Sequence, residues 1–122
     1  MRRVIWIGTS RRDLRSFSEE VRDEIGFALY HAEMDRPHSA IKPLKGLGGG
    51  VLEIVADDPG GTYRAVYAVR FANFLYVLHV FHKKSKTGGK TPAPDIDLIK
   101  KRLTLAAQDF QARSSAYEVQ KD

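Results

Sequence analysis

The side chains with chemistry to offer gather in one stretch, Thr62 to Lys86, TYRAVYAVRFANFLYVLHVFHKKSK. It carries Arg64 near its start, His79, Phe81 and His82 towards its end, and then Lys83, Lys84 and Lys86. Arginine and lysine beside an imidazole suit reaction at a phosphodiester. Metal-free cleavage of RNA turns the 2′-hydroxyl into a nucleophile, so it needs a base, a cation for the charge that builds around phosphorus, and an acid for the leaving 5′-oxygen. The same hydroxyl would confine the reaction to RNA. Arg64 suits the charge-stabilising role because a planar guanidinium can hold two phosphate oxygens and keeps its proton. Lys83 can hold phosphate or exchange a proton, and histidine is the side-chain type suited to proton transfer near neutrality. Lys84 and Lys86 can grip the RNA backbone, and Phe81 can stack on a base. Each has an ordinary reading beside it: a surface strand arginine, a solvated strand end, a solubilising lysine edge, a core aromatic, and for His79 a core histidine bonded to a carbonyl.

Two strands must position these groups. Tyr63, Ala65, Tyr67 and Val69 alternate with Arg64, Val66, Ala68 and Arg70, so the two sets point to opposite faces of a sheet. Phe74 to Phe81 is almost wholly apolar, which suits a central strand covered on both sides. Ala72-Asn73 between them offers a tight hairpin, with Asn73 the residue that tolerates positive φ. A two-residue loop would set Phe71 opposite Phe74 and Arg64 opposite Phe81, on one face with His79 and Lys83. A three-residue loop would set Arg70 opposite Phe74 and Arg64 among Val80 and His82 instead, because a one-residue slip flips every side chain. Both registers fit the sequence, and the first, which gathers an arginine, a lysine, an imidazole and an aromatic ring, is preferred.

Length and composition set the frame. A chain of 122 residues with 43% apolar content makes one domain, 1–122, with one compact core. Twenty Lys and Arg against 15 Asp and Glu leave a net charge of +5, which favours an anionic partner. The absence of cysteine excludes disulfides, thiolate metal sites and a cysteine nucleophile. No apolar run approaches the ~18 residues of a membrane span and no leader pattern opens the chain, so a cytoplasmic location is expected. No Walker-type loop, HExxH or nucleophile elbow is present, and neither a metal nor a cofactor is expected.

Val4–Ile7 reads as an edge strand ended by Gly8. Thr9 or Ser10 can cap a brief helix from Arg11, with Ser10 and Asp13 at capping-box spacing. Ser18, followed by Glu19 and Glu20, caps a second helix whose stripe is Val21, Ile25, Ala28, Leu29 and Ala32, and Arg36-Pro37 stops it. His38 to Gly50 reads as a connector with little regular structure, carrying Lys42 and Lys45. Val51–Ala56 is a strand, and Asp57-Asp58-Pro59-Gly60-Gly61 turns the chain into Thr62, completing a three-stranded antiparallel meander. After a glycine- and proline-rich loop, Asp95 caps a final helix with a buried stripe of Ile96, Ile99, Leu103, Ala106, Ala107 and Phe110 and with Lys100, Lys101 and Arg102 mostly off it. Residues 113–122 read as a polar, frayed tail. The fold class is α+β.

This order of elements, with LKGLGGGVLEI, TYRAVYAVRF, YVLHVFHKKSKTGGKTP and DIDLIKKRL, resembles the RelE/ParE superfamily of toxin–antitoxin toxins, in its HigB-like, phage-associated branch. The resemblance runs from about Val4 to Phe110. It implies a RelE-like fold: an N-terminal strand and two helices packed on a small antiparallel sheet, then a C-terminal helix. It also implies an endoribonuclease that cuts mRNA on the translating ribosome and is neutralised by a helix-turn-helix antitoxin. Under it Arg64 and Lys83 match basic family positions on neighbouring strands, and Lys45 a basic loop position. Arg64, Lys83 and His82 are the expected catalytic set, with Lys45, Phe81, Lys84 and Lys86 binding RNA.

One departure bears on the acid–base roles. Some RelE-type toxins carry basic side chains on the strand that here reads Val51–Ala56, where this chain has Glu53, Ile54 and Val55. His82, Glu53 or a lysine of the Lys83 to Lys86 cluster must then substitute. A ParE-like inhibitor of DNA gyrase, or a non-catalytic nucleic-acid-binding module, would need no proton transfer at all. As an exposed strand residue, Arg64 is expected to tolerate replacement by alanine within about 0.5 kcal/mol of stability while toxicity is lost.

Overall fold

The computed structural model describes residues 1–83 and 90–121, with side chains as far as 116 in the last helix. Five strands, β1 (Arg3–Trp6), β2 (Ile41–Pro43), β3 (Val51–Asp58), β4 (Gly61–Ala68) and β5 (Phe74–Lys83), form one sheet in the order β1-β5-β4-β3-β2. Among the described residues three helices accompany them: α1 (Ser10–Arg15), α2 (Glu19–Glu33) and α3 (Ala93–Lys121). β1 runs parallel to β5, and the remaining pairs are antiparallel. The expected meander is therefore the β3-β4-β5 part of a mixed sheet, widened on one side by β1 and on the other by β2.

The apolar run of β5 is explained by cover on both faces. Leu75, Val77 and Val80 join the α2 stripe Val21, Ile25, Ala28, Leu29 and Ala32 in one core cluster. Tyr76 and Leu78 join Ile99 and Ala106 of α3 in a second. Each fully buried aliphatic side chain here contributes roughly 1.5–3 kcal/mol through removal from water. β5 is an interior strand as its composition required, although the middle position of the sheet belongs to β4.

α2 begins as the sequence predicts, with the Ser18 hydroxyl accepting from the Val21 amide at 3.4 Å. It ends at Glu33, before Arg36-Pro37, where Asp35 takes a positive φ of 56°. At α1 the capping expectation is corrected. The Ser10 hydroxyl is fully buried and donates to the Val77 carbonyl at 3.2 Å, while the Thr9 hydroxyl donates to Asp13 at 2.7 Å. The connector is corrected too, since Ile41–Pro43 pairs with Leu52–Ile54. Three residues are too few to show a period, and it is the exposed edge of β3 that recruits them. α3 continues to Lys121, across the polar stretch that offers no buried stripe.

The β4–β5 hairpin contains both registers that the sequence admits. Near the connection Ala68 pairs with Tyr76 and Tyr67 with Val77, the three-residue-loop alignment. A bulge between Val66 and Tyr67 then skips Leu78, and beyond it Val66 pairs with His79, Arg64 with Phe81 and Thr62 with Lys83, the two-residue alignment. One extra residue on one strand is enough to change which side chains share a face. The residue with positive φ at the connection is Ala72, at 45°, and not Asn73.

Candidate nucleic-acid interface

Beyond the bulge, alternation sends Thr62, Arg64 and Val66 of β4 to the same face as Lys83, Phe81 and His79 of β5, and Glu53 of β3 sits opposite Val66 on that face. The preferred register thus holds at this end of the hairpin. Arg64 is not the exposed residue that its strand position suggested. It is 5% exposed, and its Nη1 lies 3.4 Å from Oε2 of Glu53, itself 7% exposed. The counter-ion of the arginine is thus a carboxylate of β3. Lys83 is half-buried, and its ammonium donates to the Lys90 carbonyl at 2.7 Å, which ties the end of β5 to the start of the segment leading into α3.

The two histidines separate as alternation requires. His79 is 7% exposed, with Nε2 2.7 Å from Oδ1 of Asp95, and Phe81 stacks on its ring at 4.6 Å. The carbonyl expected as its partner is thus a carboxylate, and Asp95 lies in the first turn of α3. Phe81 keeps part of its surface exposed beside Arg64. His82 lies on the opposite face: it is exposed, stacks on Tyr63 at 4.2 Å and meets the Gly60 carbonyl at 3.1 Å. The expected trio of Arg64, Lys83 and His82 is therefore split, with two members on one face and the third behind the sheet.

Lys45 is exposed in the loop after β2, and Lys84 and Lys86 lie outside the described residues. Lys42 is a cation that the loop reading passed over. It pairs with Glu53 across β2 and β3, so it projects to the Arg64 face, and it is exposed. Only the unrecognised strand β2 gives it that direction. Among the described residues no group of three or more His, Asp or Glu side chains is placed to hold a metal ion.

A second network braces the far end of the sheet. The Tyr76 hydroxyl donates to Asp109 at 2.8 Å, and Arg113 donates to the same carboxylate at 2.6 Å. Burial, the Asp109 hydrogen bond and its negative charge together push the Tyr76 phenol well above its usual range. Burial alone would raise Asp109, but the hydrogen bonds from Arg113 and Tyr76 outweigh it and hold the carboxyl below its usual value.

The mixed sheet with helices on both faces has the RelE-like toxin fold. The structure is similar to that of the isolated E. coli RelE toxin, with a TM-score of 0.56 and 18% identity over 83% of this chain and 98% of that one. The sequence matches the family described as Phage derived protein Gp49-like over residues 12–104, and the chain belongs to that family. Membership and fold together place it in the RelE-like toxin superfamily. Comparison with curated proteins finds no match.

Proposed function

We propose that this chain is the toxin of a toxin–antitoxin pair, of HigB-like type, and an endoribonuclease that cuts mRNA on translating ribosomes in the cytoplasm. The observation that carries the reading is the placement of Arg64 and Lys83 in adjacent rows of one sheet face, Arg64 opposite Phe81 and Lys83 opposite Thr62. Two cations at that spacing can bracket one phosphate. On RNA binding the Arg64 guanidinium turns from Glu53 to the phosphate oxygens, and the released Glu53 carboxylate takes the 2′-hydroxyl proton. Lys83 stabilises the charge on phosphorus and protonates the leaving 5′-oxygen. Phe81 supports a neighbouring base, while Lys42, Lys45, Lys84 and Lys86 hold the backbone. With the charge supplied by the chain, the reaction as written calls for no metal ion or other cofactor. His82 stacks behind the sheet and does not take the proton-transfer role. The partner that silences the protein is a helix-turn-helix antitoxin.

Mapping transcript 5′-ends after induction tests this, with a parallel reaction on purified mRNA with and without ribosomes. Discrete new ends that vanish in Lys83→Ala and Arg64→Lys are expected. Intact transcripts accompanied by DNA-damage signalling would instead indicate a gyrase inhibitor, and absence of growth arrest a non-catalytic binding module. Co-expression of the neighbouring reading frame should restore growth and recover a complex.

A further inference from the structure

We infer that Arg102 is a positioning residue: from α3 it holds the bulge that sets the register of the site end of the β4–β5 hairpin. Its role in the chemistry rests on the ribonuclease reading above, but the register claim stands on geometry alone. The pairing of β4 with β5 skips Leu78, and a bulged residue loses the cross-strand partners that its neighbours keep. The Leu78 carbonyl accepts from Nη1 of Arg102 at 2.9 Å. The same guanidinium donates through Nη2 to the Thr9 hydroxyl at 3.1 Å. Arg102 is 9% exposed, so the fork is an interior brace and not a surface contact. A buried carbonyl without a donor is costly, and a planar fork with fixed donor directions is the side chain able to reach both partners at once.

The surrounding residues are shaped to this contact. Gly8 has a φ of +58°, and a Cβ there would come within 3.0 Å of the guanidinium. On the other side of the bulge, the Val77 carbonyl accepts from the Ile7 amide at 2.9 Å and from the Ser10 hydroxyl at 3.2 Å. The corner after β1 and the inner face of α3 thus clamp residues 77 and 78 between them. The consequence reaches Arg64. Without the bulge the alignment Tyr67–Val77 would continue, setting Arg64 opposite Val80 and Thr62 opposite His82, and Lys83 would leave the Arg64 face.

The test reads pairing and cleavage in the same variants. Cross-strand proton contacts by NMR report Arg64–Phe81 and Thr62–Lys83 in the native register, and Arg64–Val80 and Thr62–His82 in the slipped one. Tyr67–Val77 serves as the internal reference. In Arg102→Met, which keeps the aliphatic stem and removes the donors, the native contacts beyond the bulge should weaken or give way to the slipped set. RNA cleavage should then fall by about two orders of magnitude, as expected for a misplaced catalytic group. Arg102→Lys, which can still reach one carbonyl, should restore the native contacts and part of the activity. If Arg102→Met does not fold, Gly8→Ala crowds the guanidinium without removing it and should shift the same contacts. Native pairing in a folded Arg102→Met or Gly8→Ala protein overturns the inference. Slipped pairing with full cleavage overturns its link to catalysis. A wild-type protein that cuts no RNA, with slipped pairing in the variants, removes the ribonuclease reading and leaves the register role intact.

Discussion

Arg64 and Glu53 form an ion pair within the molecule: Nη1 and Oε2 are 3.4 Å apart and the two side chains are 6% and 9% exposed. This changes what removal of the arginine does. Truncating one member of a buried pair strands the other charge away from water, at a cost of about 3–5 kcal/mol. Arg64→Ala should therefore lower stability by about that amount, and not by the 0.5 kcal/mol of an exposed site. Arg64→Met combined with Glu53→Leu should recover most of the loss, because neither charge is then left uncompensated, while cleavage stays absent. Urea denaturation of the three proteins decides it, and a single variant as stable as wild type would sink the argument.

Lys83 offers a cleaner separation of stability from chemistry. It is half-buried and its ammonium donates to the Lys90 carbonyl, and loss of that bond in Lys83→Ala should cost about 1 kcal/mol. Cleavage should fall about 10²–10³-fold if the ammonium meets charge developing in the transition state. Single-turnover cleavage beside a thermal melt measures both, and near-normal cleavage would remove Lys83 from the site.

The bond between His79 and Asp95 fastens the first turn of α3 to β5. Asp95→Ala should destabilise the protein by about 1–3 kcal/mol, with faster amide exchange concentrated in the first turns of α3. Asp95→Asn keeps a hydrogen-bonding group and should recover much of the loss. Uniform exchange along α3 in the alanine variant would show that the bond does not anchor it.

Tyrosine ionisation predicts the alkaline limb of the stability curve. Burial pushes Tyr67 up to about 12, and Tyr76 is raised further by burial and by its bond to Asp109. Above about pH 10 the unfolded chain releases phenolic protons that the folded chain retains, so stability is complete below that point and falls as pH rises through about 12. Asp109 is shifted the other way: its contribution is present above the usual carboxyl range and is lost on acidification below about pH 4. Denaturation midpoints against pH should show both limbs, and Tyr67→Phe with Tyr76→Phe should flatten the alkaline one.

Ala72 carries a φ of 45° in the hairpin connection, a conformation that costs a residue with a Cβ about 1–2 kcal/mol. Ala72→Gly relieves this and concedes part of it to the greater freedom of the unfolded chain, for a net gain of up to about 1 kcal/mol. A lower melting temperature in that variant would contradict the strained backbone.

Much of the architecture can be read from the chain alone. The α2 stripe, the Ser18 cap and the apolar run of β5 are local or periodic signals, and the structure has each in place; the turn read over Asp57 to Gly61 is there but tighter, because Asp57 pairs with Thr62 and Asp58 with Gly61. β2 escaped because three residues carry no period. Arg102 escaped because a charged residue reads as solvent-facing, whereas its partner is a carbonyl 24 positions away. Lys42 escaped with the strand that orients it.

By itself, then, the amino-acid order determined the layers, the choice of interior strand and the basic end of one hairpin, since these follow from periodicity, composition and proximity along the chain. Tertiary structure decided which face the chemistry occupies. Strand alternation leaves that choice to register, and register was set by Leu78, the residue that β4 skips and α3 holds. Long-range contact also turned Arg64 from a surface cation into half of an interior pair, because only the folded sheet brings Glu53 of β3 beside it.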